Sequence, residues 1–318
     1  MKTYLGVDVG SVSTKLAIID ENNKVIKALY LRTEGDPIRS VQKGLKELRK
    51  EIPKNNEIVG VGTTGSARYL AGVITGADLV KNEISAHAKG ASFFVPDVKT
   101  VIEIGGQDSK IIILENGVAV DFAMNLICAA GTGSFLDAQA FRLGIPVEEF
   151  GQIALKSEQP TIIGSRCTVF CESDMIHKQQ IGHSKEDIVA GLCHGLARNF
   201  LANVAKGKKI LPPIAFLGGV SENLGMREAF KNVLNQEIIV PKYNTVLGAL
   251  GVALLVKENI QSPTKFRGWE VSDQNIRCTS FPCKGCPNLC EVIEARIDEK
   301  VIARWNDRCG KYSSLNTQ

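Results

Sequence analysis

The sequence predicts an α/β protein built from two similar halves. Apolar runs typical of strands alternate with segments of helical spacing over the first 257 residues, and such a mixture indicates an α/β fold. Each half opens with a strand that ends in an acidic residue followed by glycine, "DVG" at 8–10 and "EIGG" at 103–106. We interpret this similarity as a weak internal repeat.

The first half contains four predicted strands and two predicted helices. The segments "TYLGVDVGS", "TKLAIID", "KVIKALYLR" and "EIVGVGTTG" are predicted strands, because each is an apolar run bounded by turn residues. Residues 37–51 have helical apolar spacing. A second helix is predicted for "NEISAHAKGASFF", with Asn82 as its cap.

The second half repeats the order of strands before its helices. "KTVIEIGGQDSKIIILENGVAVDF" predicts three strands joined by turns, and "PIAFLGG" predicts a later one. Helices are predicted near 132–143, 184–205, 221–235 and 245–257. Beyond about residue 260 the pattern stops: 261–277 is polar and is interpreted as a linker, and 278–318 as a small Cys-rich module with a polar tail.

The composition disfavours several classes of protein. The chain is 44% hydrophobic and 23% charged, as in soluble globular proteins. Its net charge of +4 comes without the basic clusters of a nucleic-acid binder. Since no apolar run approaches the roughly 18 residues of a membrane span and the N-terminus lacks a signal-peptide core, we expect a cytoplasmic protein without membrane attachment. Its nine cysteines are then not expected to form disulfides.

Three glycine-rich turns predict a nucleotide site. Glycine lets backbone N–H groups approach phosphate closely, and the first turn adds hydroxyl groups and a lysine. Asp8 and Glu103 are expected to hold Mg²⁺ through water. The chain has neither a GxxxxGK[ST] loop nor a GxGxxG after its first strand. The candidate nucleotide contacts are Gly10, Ser11, Val12, Ser13, Thr14, Lys15, Gly105, Gly106, Gly218, Gly219, Glu222, Asn223, Asn244 and Gly248.

Seven blocks in this order resemble the BadF/BadG/BcrA/HgdC ATPase family, within the acetate and sugar kinase, heat-shock 70 and actin superfamily. They are "GVDVGSVSTK", "NEISAHAKGASFF", "EIGGQDSK", "NLICAAGTGSFLD", "SRCTVFCESD", "FLGGVSEN" and "YNTVLGALGVAL". The resemblance, from residue 3 to about 257, implies a duplicated actin-like (ribonuclease H-like) ATPase fold. Its two lobes, roughly 1–85 and 86–260, are expected to enclose a nucleotide cleft.

The same resemblance implies that Cys128 and Cys167 bind iron. It implies a homodimer with one [4Fe–4S] cluster on the twofold axis, each subunit giving two thiolates. A helix beginning just after Cys128 would bring its positive end near the anionic cluster. From the residues alone, Cys128 can equally be a buried apolar side chain. Cys171 is a spare ligand or core filler, and Cys193 is predicted on the apolar face of a helix.

The C-terminal module carries five cysteines within 32 residues, which predicts a metal site: Cys278, Cys283, Cys286, Cys290 and Cys309. So small a module is not expected to fold on an apolar core alone. It resembles the Cys-rich segment of some longer family members. Four thiolates can hold a second iron–sulfur cluster or a structural Zn²⁺, and both alternatives stay open.

The expected function is ATP-dependent electron transfer. Ferredoxin or flavodoxin would supply electrons, and the acceptor would be a partner iron–sulfur protein: a 2-hydroxyacyl-CoA dehydratase, a benzoyl-CoA reductase-like enzyme or a double-cubane cluster protein. Gln107 or Asp108 would orient the water that attacks the γ-phosphate. The alternative functions are a small-molecule (sugar) kinase of the same superfamily, which would not need Cys128 and Cys167, and a nucleotide-binding metal sensor.

Overall fold

The computed structural model describes residues 1–53, 56–125, 128–164, 167–261 and 263–313, and of Thr168 the backbone alone. The chain forms two compact units. The first comprises Met1–Ala86 with Gly248–Gln318, and the second comprises His87–Leu247. No helix in the described ranges is both long and apolar enough to cross a membrane.

The first unit is built on a five-stranded sheet. Its elements up to residue 80 are β1 (Lys2–Val9), β2 (Ser13–Asp20), β3 (Val25–Arg32), α1 (Pro37–Glu51), β4 (Glu57–Thr64), α2 (Arg68–Thr75) and β5 (Leu79–Val80). The strand order is β3-β2-β1-β4-β5. The first three strands form an antiparallel meander, and β4 and β5 are added parallel to β1.

The second unit repeats this topology. Its elements and those that border it are α3 (Glu83–Phe94), β6 (Thr100–Ile104), β7 (Ser109–Glu115), β8 (Val118–Asn125), α4 (Gly133–Leu143), α5 (Val147–Ala154), α6 (Thr168–Gln180), α7 (Lys185–Asn203), β9 (Ile214–Leu217), α8 (Leu224–Leu234), β10 (Ile238–Ile239) and α9 (Leu247–Asn259). The strand order β8-β7-β6-β9-β10 has the same parallel and antiparallel pairs as the first sheet. The predicted duplication is confirmed.

The crossover between the third and fourth strands distinguishes the units. In the first unit it contains α1, whose cap Asp36 accepts a hydrogen bond from the backbone N–H of Arg39 and which buries Leu45 and Leu48 against the sheet. In the second unit the described part of the crossover contains four helices, α4 to α7. The length added to the second unit therefore lies at this connection.

Helix α9 explains why residues after 247 join the first unit. A Cβ atom on Gly6 of β1 would lie 1.8 Å from the carbonyl oxygen of Ala249, so only glycine lets the helix lie this close to the strand. The predicted boundary placed residues 86–260 together. The helix packs on β1, and the C-terminal residues that follow it belong to the first unit.

The segment interpreted as a linker is packed on the first unit. A short 3₁₀ helix (Trp269–Asp273) buries Val271 in the core beside α1. The Gln42 amide of α1 donates hydrogen bonds to the carbonyl oxygens of Val271 (3.1 Å) and Gln274 (2.8 Å). An antiparallel three-stranded sheet follows, formed by β11 (Ile276–Pro282), β12 (Glu291–Ile297) and β13 (Lys300–Trp305).

Candidate functional site

The first candidate turn joins β1 to β2. Asp8 lies opposite Lys15 in the antiparallel register, and the Lys15 Nζ is 3.3 Å from an Asp8 carboxylate oxygen. The backbone N–H of Gly10 closes the turn by donating to the carbonyl oxygen of Ser13 at 2.9 Å. Ser11 is exposed at the tip. An exposed hydroxyl next to a glycine and a lysine can bind phosphate.

Thr14, a candidate nucleotide contact, supports the turn from inside. Its hydroxyl shares hydrogen bonds with the hydroxyls of Thr33 (3.0 Å) and Ser40 (2.7 Å), and its side chain is fully buried. Thr33 in turn donates to the carbonyl oxygen of Gly10 at 2.9 Å. The connection after β3 therefore holds the turn in place, and the exposed end of the turn is at Ser11.

The second candidate turn, between β6 and β7, has the same construction. Glu103 lies opposite Lys110 in the register, and Gly105 donates to the carbonyl oxygen of Asp108 at 3.0 Å. The Lys110 Nζ lies 2.9 Å from carboxylate oxygens of both Glu103 and Asp108, and the lysine is only 2% exposed. One buried lysine therefore pairs with both carboxylates of this turn. Gln107 is exposed and so is better placed than Asp108 to orient a water.

Lys110 was not among the predicted site residues. When "DVGSVSTK" is aligned with "EIGGQDSK", Lys110 takes the position of Lys15 in the repeat. This alignment was the sequence signal that could have identified Lys110. In both turns a lysine on the second strand neutralises the acidic residue near the end of the first. The structural repeat therefore extends from the backbone to the charges.

The third glycine turn approaches Glu103. Gly218 has φ +85°, and a Cβ atom there would lie 2.3 Å from the carbonyl oxygen of Ile104 and 2.7 Å from a Glu103 carboxylate oxygen. Only glycine fits this position. Gly219 and Glu222 follow it and are exposed.

Two of the predicted contacts around this turn have structural partners. The side chain of Asn223 caps α8 by accepting from the N–H of Met226 at 3.0 Å. The Asn244 amide donates to the hydroxyl of Ser221 at 2.8 Å and contacts the Glu222 carboxylate. Gly248, another predicted contact, lies in α9, in the part of the chain that belongs to the first unit.

Cys128 is exposed at the start of the second unit's crossover, with Leu126 and Ile127 before it outside the described residues. The Asn125 side chain accepts from the backbone N–H of Cys128 (3.0 Å) and donates to its carbonyl oxygen (2.7 Å). A 3₁₀ turn, Ala129–Gly131, follows directly. Cys128 is therefore exposed to solvent, while the Asn125 side chain holds both its backbone N–H and its carbonyl group.

The start of α4 fastens this cysteine connection to the second glycine turn. Gly133 donates its N–H to the carbonyl oxygen of Gly105 at 2.8 Å. Ser134 donates both its N–H (2.8 Å) and its hydroxyl (2.6 Å) to the carbonyl oxygen of Gly106. A displacement of the turn would thus be transmitted within a few residues to Cys128.

Cys167 is partly exposed and precedes the first turn of α6. Cys171, one turn later, is 2% exposed, and burial with the nearby charge of Asp174 raises the pKa of its thiol to about 12. Cys193 lies fully buried in α7, as predicted, and burial raises its pKa to about 12 as well. Both thiols are core side chains, because they are buried among the apolar residues of the second unit.

The five C-terminal cysteines are separated by the topology of the three-stranded sheet. Cys283, Cys286 and Cys290 lie in the loop between β11 and β12, where Cys283 donates its N–H to the carbonyl oxygen of Cys290 at 2.7 Å. Cys309 follows β13, whose last residues pair with the start of β12 and so lie at the same end of the sheet. Cys278 lies within β11, opposite Ala295.

Metal-binding geometry is not formed by the side chains as they stand. In the ranges that the structure describes, no three His, Cys, Asp or Glu residues converge closely enough to hold a metal ion. The five predicted C-terminal ligands are thus divided into four at one end of the sheet and one, Cys278, on a strand.

The family can now be stated from comparison with known proteins. Residues 5–256 match the profile of the BadF/BadG/BcrA/BcrD ATPase family. The protein belongs to this family. The resemblance predicted from the seven blocks is confirmed, and the C-terminal sheet lies outside the matched region.

Two relatives are activators of CoA dehydratases. The (R)-2-hydroxyglutaryl-CoA dehydratase activating ATPase of Acidaminococcus fermentans is 38% identical over 255 residues, which cover 79% of this chain and 95% of that protein. The 2-hydroxyisocaproyl-CoA dehydratase activator of Clostridioides difficile is 35% identical over 263 residues, 82% of this chain and 97% of that protein.

Solved structures agree with the fold. The crystal structure of the A. fermentans (R)-2-hydroxyglutaryl-CoA dehydratase component A has a TM-score of 0.74 at 36% identity and covers 81% of this chain and 98% of its own. The C. difficile activator with bound ADPNP has a TM-score of 0.72 at 33% identity, covering 82% and 100% of the two chains. The actin-like ATPase fold expected from the sequence is confirmed.

Proposed function

We propose that the protein hydrolyses ATP in order to deliver low-potential single electrons to a partner iron–sulfur protein, which it thereby activates. The observation that carries the proposal is the direct hydrogen bonding of the Cys128 connection to the Gly105–Gly106 turn. Coupling between hydrolysis and redox chemistry requires a physical link between the nucleotide turn and the redox group. Here one set of hydrogen bonds joins the turn to the connection that carries the exposed Cys128 thiol. The activator names of the relatives support the same function.

For hydrolysis, the two lysine-paired turns supply the charged groups. The Ser11 hydroxyl and Lys15 would bind phosphate oxygens, because the N–H groups of Gly10 and Gly105 already donate within their turns. The carboxylates of Asp8 and Glu103 would hold Mg²⁺ through water. Water oriented by Gln107 attacks the γ-phosphorus, the bond to the leaving oxygen of ADP breaks, and the products are ADP and inorganic phosphate. Hydrolysis supplies conformational work, and the electron comes from reduced ferredoxin or flavodoxin.

Cys128 and Cys167 fit the ligand set of a shared [4Fe–4S] cluster. Both thiols reach solvent, in contrast to the buried thiols of Cys171 and Cys193, and both cysteines immediately precede helical turns whose N–H groups favour an anion. One subunit supplies two of the four thiolates, so a second subunit is needed to complete the set. Such a cluster, when bound, accepts and releases one electron at a time.

An exposed apolar surface beside Cys167 supports the homodimer. Val169 and Phe170 at the start of α6 are 68% and 74% exposed. Phe141 of α4 is 86% exposed, and an ion pair between Arg142 and Glu172 holds α4 beside α6. Large exposed apolar side chains are costly in a monomer and are typical of subunit interfaces. We place the dimer interface on this surface, around the proposed cluster ligands.

Anaerobic purification with iron analysis and EPR tests this function. We expect about four iron atoms per dimer at the shared cluster, besides any metal at the C-terminal cysteines, and ATP hydrolysis that accompanies reduction of an iron–sulfur dehydratase. Cys128→Ala and Cys167→Ala are expected to lose the iron and the EPR signal of the shared cluster, whereas the matched variant Cys171→Ala keeps both. Retention of the cluster in Cys128→Ala would contradict the ligand assignment. A colourless protein that phosphorylates a sugar would instead establish the kinase alternative.

We further propose that four of the five C-terminal cysteines, Cys283, Cys286, Cys290 and Cys309, bind one metal centre. These four cysteines lie at one end of the sheet. The segment before Cys283 also contacts the segment after Cys309, since the rings of Phe281 and Tyr312 lie 5.4 Å apart in an edge-to-face arrangement. The N–H of Gly285 also points to the Cys283 sulfur at 3.5 Å, a contact that stabilises a thiolate. Iron–sulfur and zinc both fit four thiolates.

Metal analysis of two variants separates these cysteines. Cys286→Ala is expected to lose one metal centre per chain and to lower the thermal stability of the C-terminal sheet. Cys278→Ala is expected to retain the metal, because Cys278 lies on a strand away from the loop. The element that is lost identifies zinc or iron. Equal metal loss in both variants would overturn the four-ligand set.

A further inference from the structure

The first unit contains a cavity that the C-terminal extension creates. Its volume is about 810 Å³, and its walls come from α2 and the residues up to Val80 on one side and from residues of the extension between 265 and 305 on the other. The family match ends at residue 256, so one whole wall lies outside the region shared with the family. The volume is within the range of small-molecule sites.

The cavity is strongly basic. Lys265, Arg267, Lys300 and Arg304 line it, and none of its lining residues is acidic. Arg304 pairs with Glu294, its Nε donating to the carboxylate at 2.7 Å. The other three form no ion pair with any carboxylate in the described part of the chain. Three cationic side chains that line one cavity and form no ion pair in the described part of the chain favour an anionic ligand.

The wall that bears two of these charges is held firmly. The N–H of Lys265 donates to the Asp78 carboxylate at 2.8 Å, and the hydroxyl of Thr264 donates to it at 2.6 Å. Arg267 donates through its N–H to the carbonyl oxygen of Thr75 and through its Nε to that of Val73, both at 3.0 Å. The backbone of this wall and the Arg267 guanidinium are therefore held in place, and such preorganisation favours binding.

The remaining lining is suited to a flat apolar group. Trp305 and Tyr69 present aromatic rings, and Ile302, Ala303 and Ala77 add apolar surface. Aromatic rings bind flat heterocycles by stacking, and arginine and lysine bind phosphate oxygens. A concave shape is filled by a small molecule, whereas an acidic protein surface would meet only its rim.

We propose that this cavity binds a phosphorylated ligand that carries a flat ring, of the nucleotide class, at a site separate from the glycine turns. The phosphates lie among Lys265, Arg267 and Lys300, and the ring lies against Trp305. Because the cavity depends on the extension, relatives that end with the family region would lack it. The inference goes beyond the proposed function, and its failure would leave the ATPase and iron results unaffected.

Tryptophan fluorescence tests the proposal directly, because the chain has only two tryptophans. Trp269→Phe leaves Trp305 as the single reporter in the full-length protein. ADP is expected to change its fluorescence saturably. Adenosine lacks phosphate and pyrophosphate lacks a ring, so each is expected to bind at least about tenfold more weakly.

Charge reversal locates the binding. In the Trp269→Phe background, Lys300→Glu and Lys265→Glu are each expected to weaken ADP binding about tenfold or more, while ATP hydrolysis stays within about twofold. Lys43→Glu, on the exposed face of α1, makes the same charge change away from the cavity and is expected to have no effect.

Three results of the ADP experiments would overturn the proposal, and a fourth would come from an acidic peptide. The first three are the absence of any fluorescence response to ADP, equal binding of adenosine and ADP, and a Lys43→Glu effect as large as that of Lys300→Glu. Saturation by an acidic peptide but not by ADP would likewise overturn it and identify a protein partner.

Discussion

The two glycine turns have the same strand pairing but are held in place by different hydrogen bonds. Each has an acidic residue paired across the strands with a lysine, Asp8 with Lys15 and Glu103 with Lys110. In the first unit the connection after β3 holds the turn, through the Thr33 hydroxyl on the carbonyl oxygen of Gly10. In the second unit, the connection after β8 holds the equivalent carbonyl oxygen, and that connection begins with the exposed Cys128.

This difference indicates how one duplicated fold can serve two tasks. The anchor of the first turn consists of buried hydroxyls, which rigidify it. The anchor of the second turn is the N-terminus of α4, a helix that continues from the cysteine connection. The same hydrogen-bonding position is structural in one unit, and we propose that it transmits motion in the other.

The largest expected effect concerns the openness of the cysteine connection. In iron-free protein at pH 8.5, iodoacetamide is expected to label Cys128 about a thousandfold faster than Cys193, because a thiol with a pKa of about 12 is almost entirely protonated at that pH. Raising the pH toward 12 should speed the labelling of the buried Cys193. Mass spectrometry of the labelled peptides measures both rates, and equal rates would show that the second unit's core is open.

The next effect compares the two lysines. Lys110→Met leaves Glu103 and Asp108 without their shared cation in a buried site and is expected to lower the free energy of unfolding by about 3–5 kcal/mol. Lys15→Met is expected to cost less, because Lys15 is more exposed and lies 3.3 Å from the Asp8 carboxylate, whereas Lys110 lies 2.9 Å from two carboxylates. Hydrogen exchange in β6 and β1 assigns each loss to its unit. Similar losses would remove the distinction between the turns.

The smallest effect tests transmission. Ser134→Ala removes one hydrogen bond to Gly106 and is expected to lower partner reduction per ATP hydrolysed about fivefold. Thr33→Val removes the hydrogen bond from the Thr33 hydroxyl to the carbonyl oxygen of Gly10 in the first turn. It is expected to lower ATP hydrolysis and partner reduction together, with their ratio unchanged. Parallel assays of phosphate release and partner reduction give the ratio. An unchanged ratio in Ser134→Ala would contradict the proposed role of α4.

Much of the fold was predictable because the chain repeats itself. The similarity of "DVG" to "EIGG" located two of the turns, and the strands and helices predicted around them agree with observed elements, whereas α2, α5 and α6 were not predicted. The partners of the turns were not predictable. Thr14, Asn223 and Asn244 are polar residues in the right segments, but their use as internal supports depends on tertiary contacts.

The C-terminal extension was the least predictable region. Its strands alternate weakly between apolar and polar residues, and it is attached by Val271, Ile276 and Ile297, which are apolar residues scattered among polar ones. Cysteine spacing predicts that a metal is bound but not which thiols meet, since that depends on which end of each strand lies beside which loop. The sheet register excludes Cys278 from the group at the loop end.

The long crossover of the second unit has a consequence for engineering. The strand order of the second sheet matches that of the first, although far more chain is inserted between β8 and β9 than between β3 and β4. The sheet thus tolerates very different lengths at this single position, as the slow growth of loop-closure entropy allows. Both proposed cluster cysteines lie within this crossover. Exchanging the crossover between family members should therefore exchange redox properties while leaving the nucleotide turns in place.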